Sequence, residues 1–324
     1  MTKNKTKNIN IFHIIYVFLL ILTIILLAIM PSYSMNAFFE GLRIWATKVL
    51  PALLPFFILT KLLSYTNFIA SFGKVISPIT HKLYGVGGVS GYVYLISIIS
   101  GYPVGAKILS DLYSSNIINK KQAITITSFT STSGPLFILG SVAIGLFNNH
   151  TLGLIILFSH YLGAILNGFL YRYKDNTKVL TQNYTPPSNP LNESMTSSII
   201  SIMTVGGFIA IFYMALQLML QLNIFLPIIQ GLEKINIDSQ LSSAIICGLI
   251  EVTTGAINLS NIQVSLSLLA PILTFLISFG GLSIHAQAYC FLKNFNMPYK
   301  LFFLQKTTQA IISTIISIII CIVI

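Results

Sequence analysis

The sequence Ser100-Gly-Tyr-Pro-Val-Gly-Ala-Lys107 interrupts an otherwise apolar segment of the chain. Proline removes a backbone donor and glycine weakens a helical turn, so a continuous membrane-spanning helix tolerates this sequence poorly. A re-entrant hairpin, in which two half-helices meet at a tip inside the membrane, accommodates it well. We therefore predict a hairpin whose tip lies at these residues.

Three further apolar segments are interrupted in a related way. Their interruptions are Ser131-Thr-Ser-Gly-Pro135, Glu251-Val-Thr-Thr-Gly255 and Ser278-Phe-Gly-Gly-Leu-Ser283. Each half of the chain then reads as a plain helix, a hairpin, a broken helix and a second plain helix. Interrupted segments at corresponding positions of two halves are the usual sequence sign of a secondary transporter's binding site.

The composition places the whole chain in a membrane. Of the 324 residues, 55% are hydrophobic and 8% are charged, and the mean hydropathy of +0.84 excludes a soluble globular protein. The net charge of +11 does not indicate nucleic-acid binding, because the lysines and arginines are dispersed among the connections between apolar runs. The three cysteines lie far apart inside apolar runs, which is typical of packing residues rather than of a metal site or disulfide framework.

The fold class that we predict is an all-α polytopic membrane protein with two inverted repeats and an N-terminal transmembrane helix. Its domains are a cytoplasmic tail and anchor (1–35), a first repeat (36–175), a cytoplasmic linker (176–195) and a second repeat (196–324). If the hairpins do not cross the membrane, each half crosses it three times. Because three is an odd number, the two halves must be inverted relative to each other. This gives about seven crossings and places most positive residues, including Lys3, Lys5 and Lys7, on the cytoplasmic side with the N-terminus.

The four interruptions are expected to converge on one polar cavity, because irregular backbone at membrane depth survives only where protein or water satisfies it. Half-helix N-termini in such a cavity favour an anionic group. The candidate substrate-binding residues lie at or beside the interruptions. They are Tyr102, Pro103, Gly105, Lys107, Ser131, Thr132, Ser133, Gly134, Glu251, Thr253, Thr254, Gly280, Gly281, Ser283, His285 and Gln287.

Several of these residues have two interpretations. Lys107 either binds substrate carboxylates or pairs with Asp111, which lies on the same helix face at i,i+4 spacing. Glu251 is either part of an ion or substrate pathway or an acceptor for the hairpin's own backbone N–H groups. Thr253 and Thr254 either bind substrate or cap the second half-helix.

Two histidines are interpreted differently. His285, with Gln287, follows a predicted break and is a candidate for polar contacts or proton coupling. His160 lies in an unbroken apolar segment and is interpreted as a packing residue. Ser283 and His285 are two residues apart and do not face each other on a helix, so a serine hydrolase is not predicted. We predict a protein that is not an enzyme and that has neither a cofactor nor a metal site.

The quoted interruptions, together with Leu50-Pro-Ala-Leu-Leu-Pro-Phe-Phe57, resemble the YlbJ/SpoVV-type sporulation integral membrane proteins, which carry nucleoside-recognition, or Gate, domains. The resemblance runs from about residue 40 to the C-terminus. It implies a role in endospore formation, namely passage of dipicolinate across a forespore membrane. The group is also similar to the concentrative nucleoside transporters, whose two inverted units hold substrate between hairpin tips and unwound segments. The first tip carries Tyr102, Pro103 and Lys107, which favours a carboxylate substrate over a nucleoside.

The function that we expect is transport of a small organic anion, with dipicolinate as the first candidate. The alternatives are a nucleoside or nucleobase transporter and a non-transporting structural protein of sporulation. The expected partners are the lipid bilayer, the anion and a coupling H⁺ or Na⁺, and no nucleic acid. The expected location is the cell membrane or the outer forespore membrane. A cationic residue in the cavity would favour the anion, and unpaired amides and carboxylates would favour a nucleoside.

Overall fold

The computed structural model describes residues 11–173 and 188–324, and every regular element within these ranges is a helix. The predicted all-α fold class is therefore confirmed. Lys3, Lys5 and Lys7 of the predicted tail lie outside the described residues, as does most of the predicted linker 176–195.

The described part of the first half, residues 11–173, contains eight α-helices and two π-helical segments. The α-helices are α1 (Ile11–Ile29), α2 (Pro31–Ile44), α3 (Leu50–Ser64), α4 (Phe68–Tyr84), α5 (Val89–Ser100), α6 (Val104–Ser114), α7 (Lys120–Thr130) and α8 (His150–Leu170). The π-helical segments are Trp45–Val49 and Leu136–Ile144.

The described part of the second half, residues 188–324, contains seven further α-helices. They are α9 (Pro190–Gln221), α10 (Leu226–Glu233), α11 (Ser239–Ile250), α12 (Val252–Ser260), α13 (Leu266–Phe279), α14 (Gly281–Leu292) and α15 (Tyr299–Val323). Both halves follow the same order, in which a hairpin (α5 and α6, or α11 and α12) precedes a broken helix and a final long helix. The inversion of one half relative to the other stays a prediction.

Each predicted interruption is a break between helices. Residues 101–103 separate α5 from α6, and residues 131–134 follow α7. Glu251 separates α11 from α12, and Gly280 separates α13 from α14. The residues that predicted the breaks are proline, glycine and hydroxyl side chains that compete with the helix backbone. They therefore produce the breaks at the predicted positions.

The helices confirm an integral membrane protein, but fewer of them than predicted can cross alone. Among the described residues, four segments are long and apolar enough, one of them (Leu266–Phe295) being α13 and α14 together, and up to six if each of two bent pairs is one span. The apolar segment 122–148, whose length predicts a broken crossing, is not among them, because α7 and the π-helical segment after it are both short.

The sequence after residue 64 predicts a polar connection, because it carries Lys74, His81 and Lys82, but the structure has a helix there, α4, bent by 86° from the preceding helical segment. Its polar residues Lys74, His81 and Lys82 are exposed, while Ile69 and Tyr84 are buried against the core. An amphipathic helix therefore replaces the predicted loop, because its buried side chains recur at helical rather than irregular spacing.

Candidate substrate site

Close backbone approaches join the two interruptions within each half of the chain. A Cβ added at Gly101 would lie 2.5 Å from the amide nitrogen of Gly134, so the first hairpin tip touches the first break. A Cβ added at Gly281 would lie 3.0 Å from the carbonyl oxygen of Gly248, so the second break touches the second hairpin. Gly101 and Gly281 also have φ of +77° and +65°, which other residues adopt only with strain.

Lys306 of α15 lies at the centre of this region and is 1% exposed. Its Nζ donates to the Tyr102 hydroxyl at 2.6 Å, the Ser131 carbonyl oxygen at 2.8 Å and Gln309 Oε1 at 2.7 Å. Tyr102 belongs to the first hairpin tip and Ser131 to the first break. One side chain from the last helix therefore connects both interruptions of the first half.

His160 of α8 connects the breaks of the two halves. Its Nε2 accepts a hydrogen bond from the Ser133 backbone N–H at 2.9 Å, and its Nδ1 lies 2.7 Å from Ser278 Oγ. Because Nε2 is an acceptor, a neutral imidazole carries its proton on Nδ1 and donates it to Ser278. The Tyr102 hydroxyl also reaches the Ser278 carbonyl oxygen, at 3.3 Å.

The charge of Lys306 has no protein counter-charge among the described residues, where no carboxylate oxygen lies within 4.0 Å of its Nζ. Two hydrogen-bonding atoms of its neighbours also lack a protein partner, Gln309 Nε2 and Thr132 Oγ1, and both are buried. Buried polar groups are normally paired. The region therefore offers one cation and two free polar groups at the meeting point of the breaks.

Lys107 lies away from this centre in an ion-pair cluster. Its Nζ bonds both carboxylate oxygens of Asp111, at 2.7 and 2.9 Å, and Ser197 Oγ at 3.2 Å. Lys61 of α3 shares the same carboxylate at 3.2 Å. The cluster borders a groove of about 420 Å³ between α6, α9 and the end of α14. The structure thus shows the predicted pairing with Asp111, and substrate binding by Lys107 stays a prediction.

Glu251 caps α12. Its carboxylate accepts hydrogen bonds from the backbone N–H groups of Thr253 at 3.1 Å and Thr254 at 2.6 Å, and from Thr254 Oγ1 at 2.8 Å. Of the two interpretations of Glu251, the structure shows the acceptor for the hairpin's own backbone. The two threonines supply donors to that cap, so the positive end of α12 is already occupied by a carboxylate.

The residues that follow the second break bond mainly to one another. Gln287 donates to Ser283 Oγ at 3.2 Å. His285 Nε2 lies 2.9 Å from the Phe279 carbonyl oxygen, and its ring packs 5.1 Å from that of Phe302. His285 Nδ1 is buried without a partner. Within the described ranges no group of three or more His, Cys, Asp or Glu side chains could hold a metal ion.

Lys306, the residue at the centre of the region, is not among the candidates predicted from the sequence. The segment 302–324 reads as a plain span when judged by mean hydropathy, and Lys306 is the one charged residue inside it. Ionisable residues within membrane segments are costly and mark functional positions, so this lysine was a usable signal. His160 was interpreted as a packing residue, because no break lies next to it in the sequence.

Comparison with known proteins places the chain in a family. The family described as "Nucleoside recognition", or Gate, matches residues 46–149, which include the first hairpin and the first break. The sporulation integral membrane protein YlbJ of Bacillus subtilis (strain 168) is 31% identical over 313 aligned residues, which cover 88% of this chain and 77% of that protein. No solved structure matches the chain. The chain belongs to the family of the sporulation integral membrane protein YlbJ, as a membrane protein with a nucleoside-recognition Gate domain.

Proposed function

We propose that this protein transports a small organic anion across a membrane during endospore formation, with dipicolinate as the first candidate substrate. The observation that carries the proposal is Lys306, a buried lysine without a described carboxylate partner where the first hairpin tip meets the two breaks. A site built of interrupted helices supports transport rather than catalysis, because such sites are typical of secondary transporters.

The energetics of Lys306 favour an anionic ligand. A charged side chain at the bilayer centre costs about 2.5–3.5 kcal/mol on insertion scales, and more on others. A carboxylate next to the ammonium offsets that cost, whereas a neutral ligand does not. Gln309 Nε2 and Thr132 Oγ1 provide further hydrogen-bonding groups for a second carboxylate, and the Tyr102 ring provides a flat surface. These features suit a rigid planar dicarboxylate.

The alternative substrate is a nucleoside or nucleobase, which the match to the nucleoside-recognition family favours. Such a ligand needs paired donors and acceptors for base and ribose. Glu251 is engaged as a helix cap and Gln287 bonds Ser283, so these two candidates are not free for a nucleoside in this conformation. The anion therefore remains our first candidate.

The proposed orientation places the N-terminus and the linker in the cytoplasm and the C-terminus on the far side. The proposed location is the cell membrane or the outer forespore membrane, with H⁺ or Na⁺ as the coupling ion. This arrangement leaves the positive residues of the connections mainly on the cytoplasmic side, as the positive-inside rule expects.

The test is uptake of labelled dipicolinate by purified protein in liposomes, with dicarboxylates and nucleosides as competitors. We expect saturable uptake that dicarboxylates inhibit and nucleosides do not. Lys306→Gln should abolish uptake, while Lys300→Gln, an exposed lysine on the same helix, should not. Uptake of nucleosides instead would support the alternative substrate, and uptake of neither would support a structural role.

A test in cells complements the reconstitution. Cells that lack the protein should still synthesise dipicolinate but release spores depleted of it. Normal dipicolinate in those spores, with a defect in nucleoside uptake, would reject the anion in favour of the nucleoside.

A further inference from the structure

We propose that Lys306 and Tyr102 form the proton-binding site of the transporter, and that Lys306 takes up one proton when an anion binds and releases it when the anion leaves. The coupling to an anion rests on the proposed function above. The existence of two protonation states at Lys306 does not rest on the proposed function, because it is inferred from the hydrogen-bonding groups around Nζ alone.

The charged state is fully satisfied by the observed contacts. An ammonium group has three N–H donors, and Nζ has three acceptors: the Tyr102 hydroxyl, the Ser131 carbonyl oxygen and Gln309 Oε1. In this state the Tyr102 hydroxyl accepts from Nζ and turns its own proton to the Ser278 carbonyl oxygen at 3.3 Å.

The neutral state is satisfied by the same atoms after one hydroxyl rotation. A neutral amine has two N–H donors, which suit Ser131 and Gln309, and one lone pair. The Tyr102 O–H then donates to that lone pair across the same 2.6 Å contact. The step transfers one proton from a hydronium ion of the aqueous phase to the Nζ lone pair and leaves water, and the reverse step returns the proton to water as hydronium. Tyr102 therefore lets Lys306 hold either charge without leaving a buried group unpaired.

The surroundings decide which state is favoured. The titratable side chains that face Lys306 are Tyr102 from the first tip, His160 from α8 and His285 from α14. None of them supplies a negative counter-charge, so the apolar environment disfavours the ammonium. A bound carboxylate within about 4–6 Å reverses this preference. Proton and anion binding are then linked, and each increases the affinity for the other by the same factor.

The first test needs no substrate. In protein labelled with ¹⁵N at the lysine side chains, the Lys306 signal is the one that disappears in Lys306→Gln. We expect this signal to change from the charged to the neutral form as the pH rises through the range in which the protein stays folded. A Lys306 that stays charged over this whole range in the ligand-free protein would overturn the proposal.

The second test measures equilibrium binding of dipicolinate over about pH 6–9, where its carboxylates stay ionised. With one proton taken up per anion, the affinity should fall roughly tenfold per pH unit above the Lys306 transition. Lys306→Arg keeps its charge throughout, so its binding should not depend on pH, whereas exposed Lys300→Arg should behave like the wild type. A wild-type affinity independent of pH would contradict proton uptake.

An uptake measurement distinguishes anion binding from the release of the proton. Lys306→Arg should bind dipicolinate but lower net uptake by roughly 100-fold, because a guanidinium does not give up the proton that the return step requires. Uptake by Lys306→Arg at the wild-type rate would reject the proposal. If the wild-type protein does not bind dipicolinate at all, the substrate assignment fails, and the ligand-free ¹⁵N titration still decides whether Lys306 has two states.

Discussion

Replacing Lys306 with methionine should separate a functional lysine from a structural one. The change leaves the Ser131 carbonyl oxygen and Gln309 Oε1 without their donor, which costs about 1–3 kcal/mol each. When Lys306 is protonated, the change also removes a charge whose burial in the bilayer costs about 2.5–3.5 kcal/mol. The two terms offset each other, so the free energy of unfolding should stay within about 3 kcal/mol of the wild type. Anion binding, in contrast, should weaken by about 2–5 kcal/mol, roughly 30-fold to several thousand-fold.

Asn167 is the matched structural control for Lys306. Its Nδ2 donates to the carbonyl oxygens of Ser128 at 2.7 Å and Gln305 at 3.0 Å, and its Oδ1 accepts from Thr308. Asn167→Leu leaves the Ser128 carbonyl oxygen unpaired and removes one of several hydrogen bonds from Gln305 and from Thr308, which also bond each other. It removes no charge, so it should lower the free energy of unfolding by about 2–6 kcal/mol. The assay is unfolding in detergent, followed by equilibrium dipicolinate binding. A Lys306→Met protein that is less stable than Asn167→Leu, or that binds like the wild type, would refute this reasoning.

Three further predictions concern the cap, the helix contact and the topology. Glu251→Asp should keep the cap of α12, whereas Glu251→Ala should lower the free energy of unfolding by about 1 kcal/mol; unchanged stability with lost anion binding would instead make Glu251 a ligand. Gly163→Ala would place a Cβ 2.9 Å from the Cα of Ser313, so the unfolding temperature and the uptake should both fall. Unchanged values would show that α8 and α15 move apart to accommodate the methyl group. Cysteines placed at positions 188 and 235 should be labelled from opposite sides of the membrane, and labelling from one side would reject the inverted repeat.

The sequence predicts the breaks well because their cause is local. Glycine at positions 101 and 280 adopts positive φ, and Glu251 caps the half-helix that follows it, so each break arises from its own residues. The pairing of Lys107 with Asp111 was predictable for the same reason, since four residues along a helix bring two side chains together.

The centre of the site was not predictable in the same way. Lys306 contacts Tyr102 across 204 residues of sequence, and His160 contacts Ser278 across 118. No periodicity or spacing encodes such contacts, because they depend on how α8 and α15 pack between the two halves. The lone lysine in an apolar helix was the local sign of this site, and mean hydropathy over the segment conceals it.

A structure of the protein determined with dipicolinate bound tests the central claim most directly. We predict a carboxylate oxygen of the ligand within about 3 Å of Lys306 Nζ, in place of one of its three present acceptors, between the first hairpin tip and the breaks. Dipicolinate bound in the groove beside Lys107, with the contacts of Lys306 to Tyr102, Ser131 and Gln309 unchanged, would contradict it.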